Sequence, residues 1–94
     1  MRGPRHREPR DPVNRSILLV DDDVSVLNVL GLFFEKKGWA VQRAAEASGA
    51  MDLYERDRPD LVLLDINLPG LSGLQFLEVL RGRDADATVI MLTG

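Results

Sequence analysis

The sequence predicts an α/β domain, a doubly wound parallel sheet with helices on both faces. Three observations carry this. Short apolar runs recur along the chain, as expected for strands buried on both sides. Stretches with apolar residues at helical spacing separate these runs, and the connections are only a few residues long. Such alternation calls for parallel strands joined by right-handed crossovers.

Taken in order, Ser16 to Val20 is the first strand, short and apolar, with β-branched Ile17 and Val20. From Val24 to Lys37, the residues Val26, Leu27, Leu30, Phe33 and Phe34 follow helical spacing. Lys36 and Lys37 suit the last turn, and Gly38 is the expected stop. "WAVQRA" from Trp39 alternates well enough for a second strand. Ala47, Ala50, Met51 and Tyr54 then recur at i, i+3, i+4 and i+7, a second helix. Pro59 breaks the chain, and "DLVLLD" follows as a third strand too apolar to have a wet face. In "SGLQFLEVLRG" Phe76, Leu77 and Leu80 share one face, and Ser72 with Gln75 spells a capping box. "ATVIMLT" from Ala87 reads as a fourth buried strand.

Composition bounds the function classes. The 94 residues suffice for one small domain, and 45% hydrophobic with 29% charged is ordinary for a globular chain. Cysteine is absent, which excludes a disulfide framework and thiolate metal sites. No apolar run approaches bilayer-spanning length, so no membrane role is expected. Charge is divided unevenly. Residues 1–15 carry five arginines against Glu8 and Asp11, a net of +3, while residues 16–94 hold seven basic and thirteen acidic residues, a net of −6. The leader lacks aliphatic periodicity and contains Pro4, Pro9 and Pro12, so residues 1–15 are expected as a disordered basic tail and residues 16–94 as the domain.

The chemistry is expected at the carboxyl ends of the strands, where open α/β sheets bind ligands. Asp21 and Asp22 end the first strand, Asp65 the third, and Thr93 the fourth. With the flavodoxin-like order 2-1-3-4, the first and third strands are neighbours, and three carboxylates face one another. Like charges this close raise one another's pKa, a cost that a hard divalent cation offsets. Mg²⁺ suits the set because it takes carboxylates, a carbonyl, waters and a phosphate oxygen. A carboxylate beside Mg²⁺ is also a nucleophile toward phosphorus. Asp65, fixed at the end of a buried strand, is the candidate, whereas Asp21 and Asp22 are expected in a more exposed turn. Asp23, next to the helix start, is read as its N-cap. Thr93 is placed to bond a phosphoryl oxygen and be drawn inward, a two-state element. Trp39 and Tyr54 are read as packing residues.

At this point "LLVDDD", "LVLLDINLPGLSG" and "VIMLTG" together resemble the receiver domain of two-component response regulators, over residues 16–94. The resemblance implies that Asp65 accepts a phosphoryl group from a histidine kinase or phosphotransfer protein. It implies that Asp21, Asp22 and Asp65 hold Mg²⁺ with the backbone carbonyl of Asn67, and that Thr93 is the switch hydroxyl. Pro69 and Gly73 match the loop after the phosphoacceptor and the first turn of the following helix. The implied partners are the kinase and an output domain or partner protein outside this chain, with nucleic acid reached only through such a domain. The implied location is the cytoplasm, and the implied role is not that of an enzyme.

A receiver continues with a fourth helix, a fifth strand ending in lysine and a fifth helix. No such segment follows Gly94, and Lys36 and Lys37 are expected at the opposite pole, so a piece of a longer protein is expected. Two other classes compete. One is a phosphorylation-independent interaction module with the pocket residues but no switching. The other is an aspartyl-phosphate phosphohydrolase, because "LLDIN" loosely resembles the haloacid-dehalogenase nucleophile motif, which wants a second Asp where Asn67 stands.

Overall fold

The computed structural model describes residues 15–68 and 71–92. Four strands, β1 (Ser16–Val20), β2 (Ala40–Ala44), β3 (Leu61–Asp65) and β4 (Val89–Leu92), alternate with three helices, α1 (Val24–Lys36), α2 (Ala47–Asp57) and α3 (Gly73–Arg83). All neighbours in the sheet run parallel, in the order β2-β1-β3-β4. This is the expected α/β topology. The β1–β3 register pairs Ile17 with Leu61 and continues to Val20 with Leu64.

The central strands β1 and β3 are buried on both faces, and the pleat divides their side chains between two cores. Leu18, Val20, Val62 and Leu64 pack with Ala50 and Tyr54 of α2 and with Phe76 and Leu80 of α3. Ile17, Leu19 and Leu63 pack with Leu27 of α1, flanked by Leu30, Phe34 and Trp39. Each fully buried aliphatic side chain contributes about 1.5–3 kcal/mol. A shift of one residue in register would exchange the two sets, so burial on both faces fixes the register.

Helix boundaries follow local chemistry. Asp23 caps α1 by accepting the Ser25 N–H at 2.9 Å. The helix ends in a Schellman arrangement. Gly38, at φ 92°, donates its N–H to the Glu35 carbonyl, and Trp39 donates to that of Phe34, both at 3.0 Å. The Trp39 and Phe34 rings meet edge-on at 5.5 Å. At α3 the expected capping box is formed, Ser72 Oγ accepting the Gln75 N–H and Gln75 Oε1 accepting the Ser72 N–H.

Three expectations are corrected. Phe33 does not face the core but is 51% exposed. The buried stripe of α1 runs through Leu27, Leu30, Gly31 and Phe34, and Phe33 lies one 100° step beside it. Gly31 leaves a notch that the Arg43 guanidinium of β2 fills, its Nε donating to the Leu27 carbonyl at 3.3 Å. The fourth strand is not buried. It is the rim of the described sheet, with β3 alone beside it, and Ile90 is 49% exposed. Finally, α1 ends at Lys36, with Lys37 as its C-cap. The basic tail expected over residues 1–15 lies outside the described residues, apart from Arg15.

Candidate functional site

The site is built where β1 and β3 end side by side. Because Val20 pairs with Leu64, the next residues, Asp21 and Asp65, emerge together at the same edge. Asp22 extends the β1 turn. One carboxylate oxygen from each of Asp21, Asp22 and Asp65 lies within 4.8 Å of the other two. The three acids expected to converge do converge.

Two turns of the same construction hold them. Asp21 Oδ1 accepts the Asp23 N–H at 2.9 Å, and Asp65 Oδ1 accepts the Asn67 N–H at 3.0 Å. Each strand-end aspartate thus folds its own following loop into an Asx turn. The turns are tied to their neighbours through the backbone. Asp21 N–H donates to the Ala44 carbonyl of β2 at 3.1 Å, and Ile66 N–H to the Leu92 carbonyl of β4 at 3.1 Å. From the other side, Gly73 N–H, at the start of α3, donates to the Ile66 carbonyl at 2.8 Å.

The electrostatics are unbalanced. Asp21 is only 8% exposed, Asp65 is half-buried and Asp22 is exposed. This corrects the expectation that Asp21 and Asp22 form a turn more exposed than Asp65: the order holds for Asp22 and is reversed for Asp21. Burial pushes the Asp21 carboxyl up from its ordinary range. The Asp23 N–H pulls it down, and the neighbouring charges of Asp65, Asp22 and Asp23 push it up again. Among the described residues, the ion pairs involve none of the three acids. Lys36 and Lys37 close α1 at the far pole, about 20 Å along a helix of this length.

An all-carboxylate donor set, with Asp65 half-buried and Asp22 exposed and no side-chain cation paired to it among the described residues, fits a hard divalent ion, and the residues present suit Mg²⁺. Asn67 is exposed two residues past Asp65, in the same turn. Thr93 and Pro69 lie outside the described residues. Gly73 is where expected, in the first turn of α3, but the reason for a glycine there was not legible. A Cβ at this position would stand 2.5 Å from the Asp65 carbonyl oxygen. Only the approach of two backbones distant in sequence reveals that.

A parallel sheet in this order, with an acidic cluster past its two central strands, defines a receiver-type architecture. Residues 17–94 match the response regulator receiver domain, and the chain belongs to that family. Sporulation initiation phosphotransferase F of Bacillus subtilis is 37% identical over 81 residues, 86% of this chain and 65% of that protein. The DNA-binding response regulator MtrA of Mycolicibacterium smegmatis is 37% identical over 83 residues, 88% of this chain and 36% of that protein. Among solved structures, a CheY-like receiver domain protein from Methanospirillum hungatei superposes with a TM-score of 0.83 at 33% identity, covering 86% of this chain and 65% of that one. The response regulator TrrA from Thermotoga maritima, in complex with Mg²⁺-BeF, gives 0.80 at 33%, covering 84% and 69%. The chain spans about a third to two thirds of the length of the curated relatives it matches.

Proposed function

We propose that Asp65 accepts a phosphoryl group from the phosphohistidine of a kinase or phosphotransfer protein. An Asp65 carboxylate oxygen bonds to phosphorus as the phosphorus–nitrogen bond of the donor breaks. The bonding electron pair stays on the imidazole nitrogen, which takes up a proton. Asp21, Asp22, Asp65 and the Asn67 carbonyl would hold Mg²⁺, which supplies positive charge against the phosphoryl oxygens. Buried β3 keeps Asp65 in place, and the Asx turn keeps its carboxylate oriented. Thr93 is the hydroxyl that would respond to the modification and shift a partner-binding surface. The observation that carries this reading is the gathering of three carboxylates, from two adjacent strands, within 4.8 Å.

The modification is stoichiometric, so the chain serves as a phosphoacceptor in a relay and not as a turnover enzyme. Its partners are the donor kinase and an output domain or separate protein, and DNA is reached only through such an output domain; the relative MtrA is named as a DNA-binding response regulator. The proposed location is the cytoplasm. No helix among the described residues is long and apolar enough to cross a membrane.

The test is incubation with phosphoramidate and Mg²⁺, followed by intact-mass spectrometry. One added phosphoryl group is expected, not acquired when the metal is chelated before the donor is added and absent in Asp65→Asn. Full uptake by Asp65→Asn would overturn the assignment.

A further inference from the structure

We propose that Gly73 is a positioning residue for the phosphoacceptor turn: the first turn of α3 presses directly on the Asp65–Ile66 peptide and fixes where the Asp65 carboxylate stands. The inference rests on the assignment of Asp65 and Mg²⁺ above. Gly73 is buried, and a Cβ built on it would lie 2.5 Å from the Asp65 carbonyl oxygen, 2.6 Å from Ile66 Cα and 3.1 Å from the Asp65 carbonyl carbon. Those are backbone atoms of a strand end and its turn, so no side-chain rotation relieves the overlap. At Gly31 the obstructing atoms are the far end of the Arg43 side chain, which can swing away. Gly82, in the same helix as Gly73, faces open space. Gly73 is therefore required by contact, not by conformation, since its φ is not positive.

The surroundings prevent an easy retreat. The Ser72–Gln75 capping box fixes the residue at which α3 begins. Gly73 N–H bonds the Ile66 carbonyl, while Ile66 N–H bonds the Leu92 carbonyl of β4. The Ile66 peptide is thus held between a helix start and a strand end. A methyl group at position 73 has to displace either the Asp65–Asn67 turn or the helix. Displacing the turn moves both the Asp65 carboxylate and the Asn67 backbone, and Mg²⁺ tolerates little departure from octahedral geometry. Loss of such a supporting contact commonly weakens metal binding by 10–100-fold.

The experiment is a Mg²⁺ titration of the isotope-labelled full chain followed by amide NMR, for the wild type, Gly73→Ala and Gly82→Ala. A folded Gly73→Ala with at least about tenfold weaker Mg²⁺ binding and displaced Asp65, Ile66 and Asn67 amides, beside an unaltered Gly82→Ala, supports the proposal. A folded Gly73→Ala that binds Mg²⁺ as the wild type does overturns it. Should Gly73→Ala not fold, Ser72→Ala is titrated instead, since it loosens the first turn without adding an atom. Weakened Mg²⁺ binding there supports the coupling and unchanged affinity overturns it. A wild type that ignores Mg²⁺ refutes the metal site; the metal-free spectra then decide alone, shifts at Asp65 to Asn67 supporting the role of Gly73 and shifts confined to α3 overturning it.

Discussion

The two poles of this sheet use aspartate in opposite ways. At the amino pole, carboxylates meet donors. Asp60 accepts the Ser16 N–H at 2.8 Å, tying β1 to the entry of β3. Asp57 accepts from Gln42 Nε2. Asp84 receives the hydroxyl of buried Tyr54 at 2.5 Å and Arg58 Nη1 at 3.2 Å, joining the ends of α2 and α3. Arg58 itself ends α2 in the left-handed region at φ 45°, where glycine is the easier residue. At the carboxyl pole, Asp21, Asp22 and Asp65 face one another and the backbone. One pole uses its acids to hold elements together, whereas the other keeps negative charge in excess. The first arrangement sets its acids against donors of the chain itself; the second would be balanced by the proposed Mg²⁺.

That contrast can be broken at either pole. The largest effect is expected from Asp84→Ala, which removes the carboxylate that accepts from both the Tyr54 hydroxyl and Arg58 Nη1. A loss of about 3 kcal/mol should appear in urea denaturation, with Mg²⁺ affinity unchanged in the folded protein. Next, Mg²⁺ at a hundredfold excess over its Kd should stabilise the wild type by about 2.7 kcal/mol. Asp84→Ala should retain that gain, whereas Asp21→Asn should lose it. Equal gains in both variants would erase the distinction between the poles.

The smallest effect is a pH dependence. The folded protein holds the Asp21 proton more tightly than the unfolded chain, whose ordinary value is 3.8. Between that value and the raised one, the folded state binds more protons, so stability falls as pH rises. The favourable contribution of Asp21 is present below the unfolded value and is lost as pH rises through the folded one. Metal-free Asp21→Asn should therefore be more stable than the wild type near neutrality, with the difference vanishing in acid. Parallel melting curves across that range would show that burial of Asp21 carries no such cost.

The sequence displayed much of the carboxyl pole because its acids sit at the ends of hydrophobic runs, and alternation of elements predicts where such ends meet. Topology then carried Asp21 to Asp65 without any knowledge of side-chain packing. The burial of Asp21 was not visible, since it depends on the elements assembled around the end of β1 and not on hydropathy along the chain. The amino pole was nearly silent. Its partners lie 15 to 44 residues apart and follow no period, so nothing in the strand runs that hold Ser16 and Asp60, or in Tyr54 read as a packing residue, pointed to these pairs. Tyr54 was rightly placed in the core, but its hydroxyl partner was not foreseeable. Hydropathy also misled where one helical step decides exposure, as at Phe33. The glycines at 31 and 73 carry no hydropathic signal, and what each accommodates belongs to another element.

The shared register of β1 and β3 has a bearing on how this site withstands change in the chain. Asp21 and Asp65 are 44 positions apart only because the intervening helices and loops happen to total that length. Their proximity depends on Ile17 meeting Leu61. Residues gained or lost in the loop before α2 would alter the count and leave the carboxylates together. A single residue inserted within Leu61–Asp65 would turn the aspartate to the opposite face of the sheet. The loop before α2 is free to drift in length, while the paired positions of β1 and β3 are not.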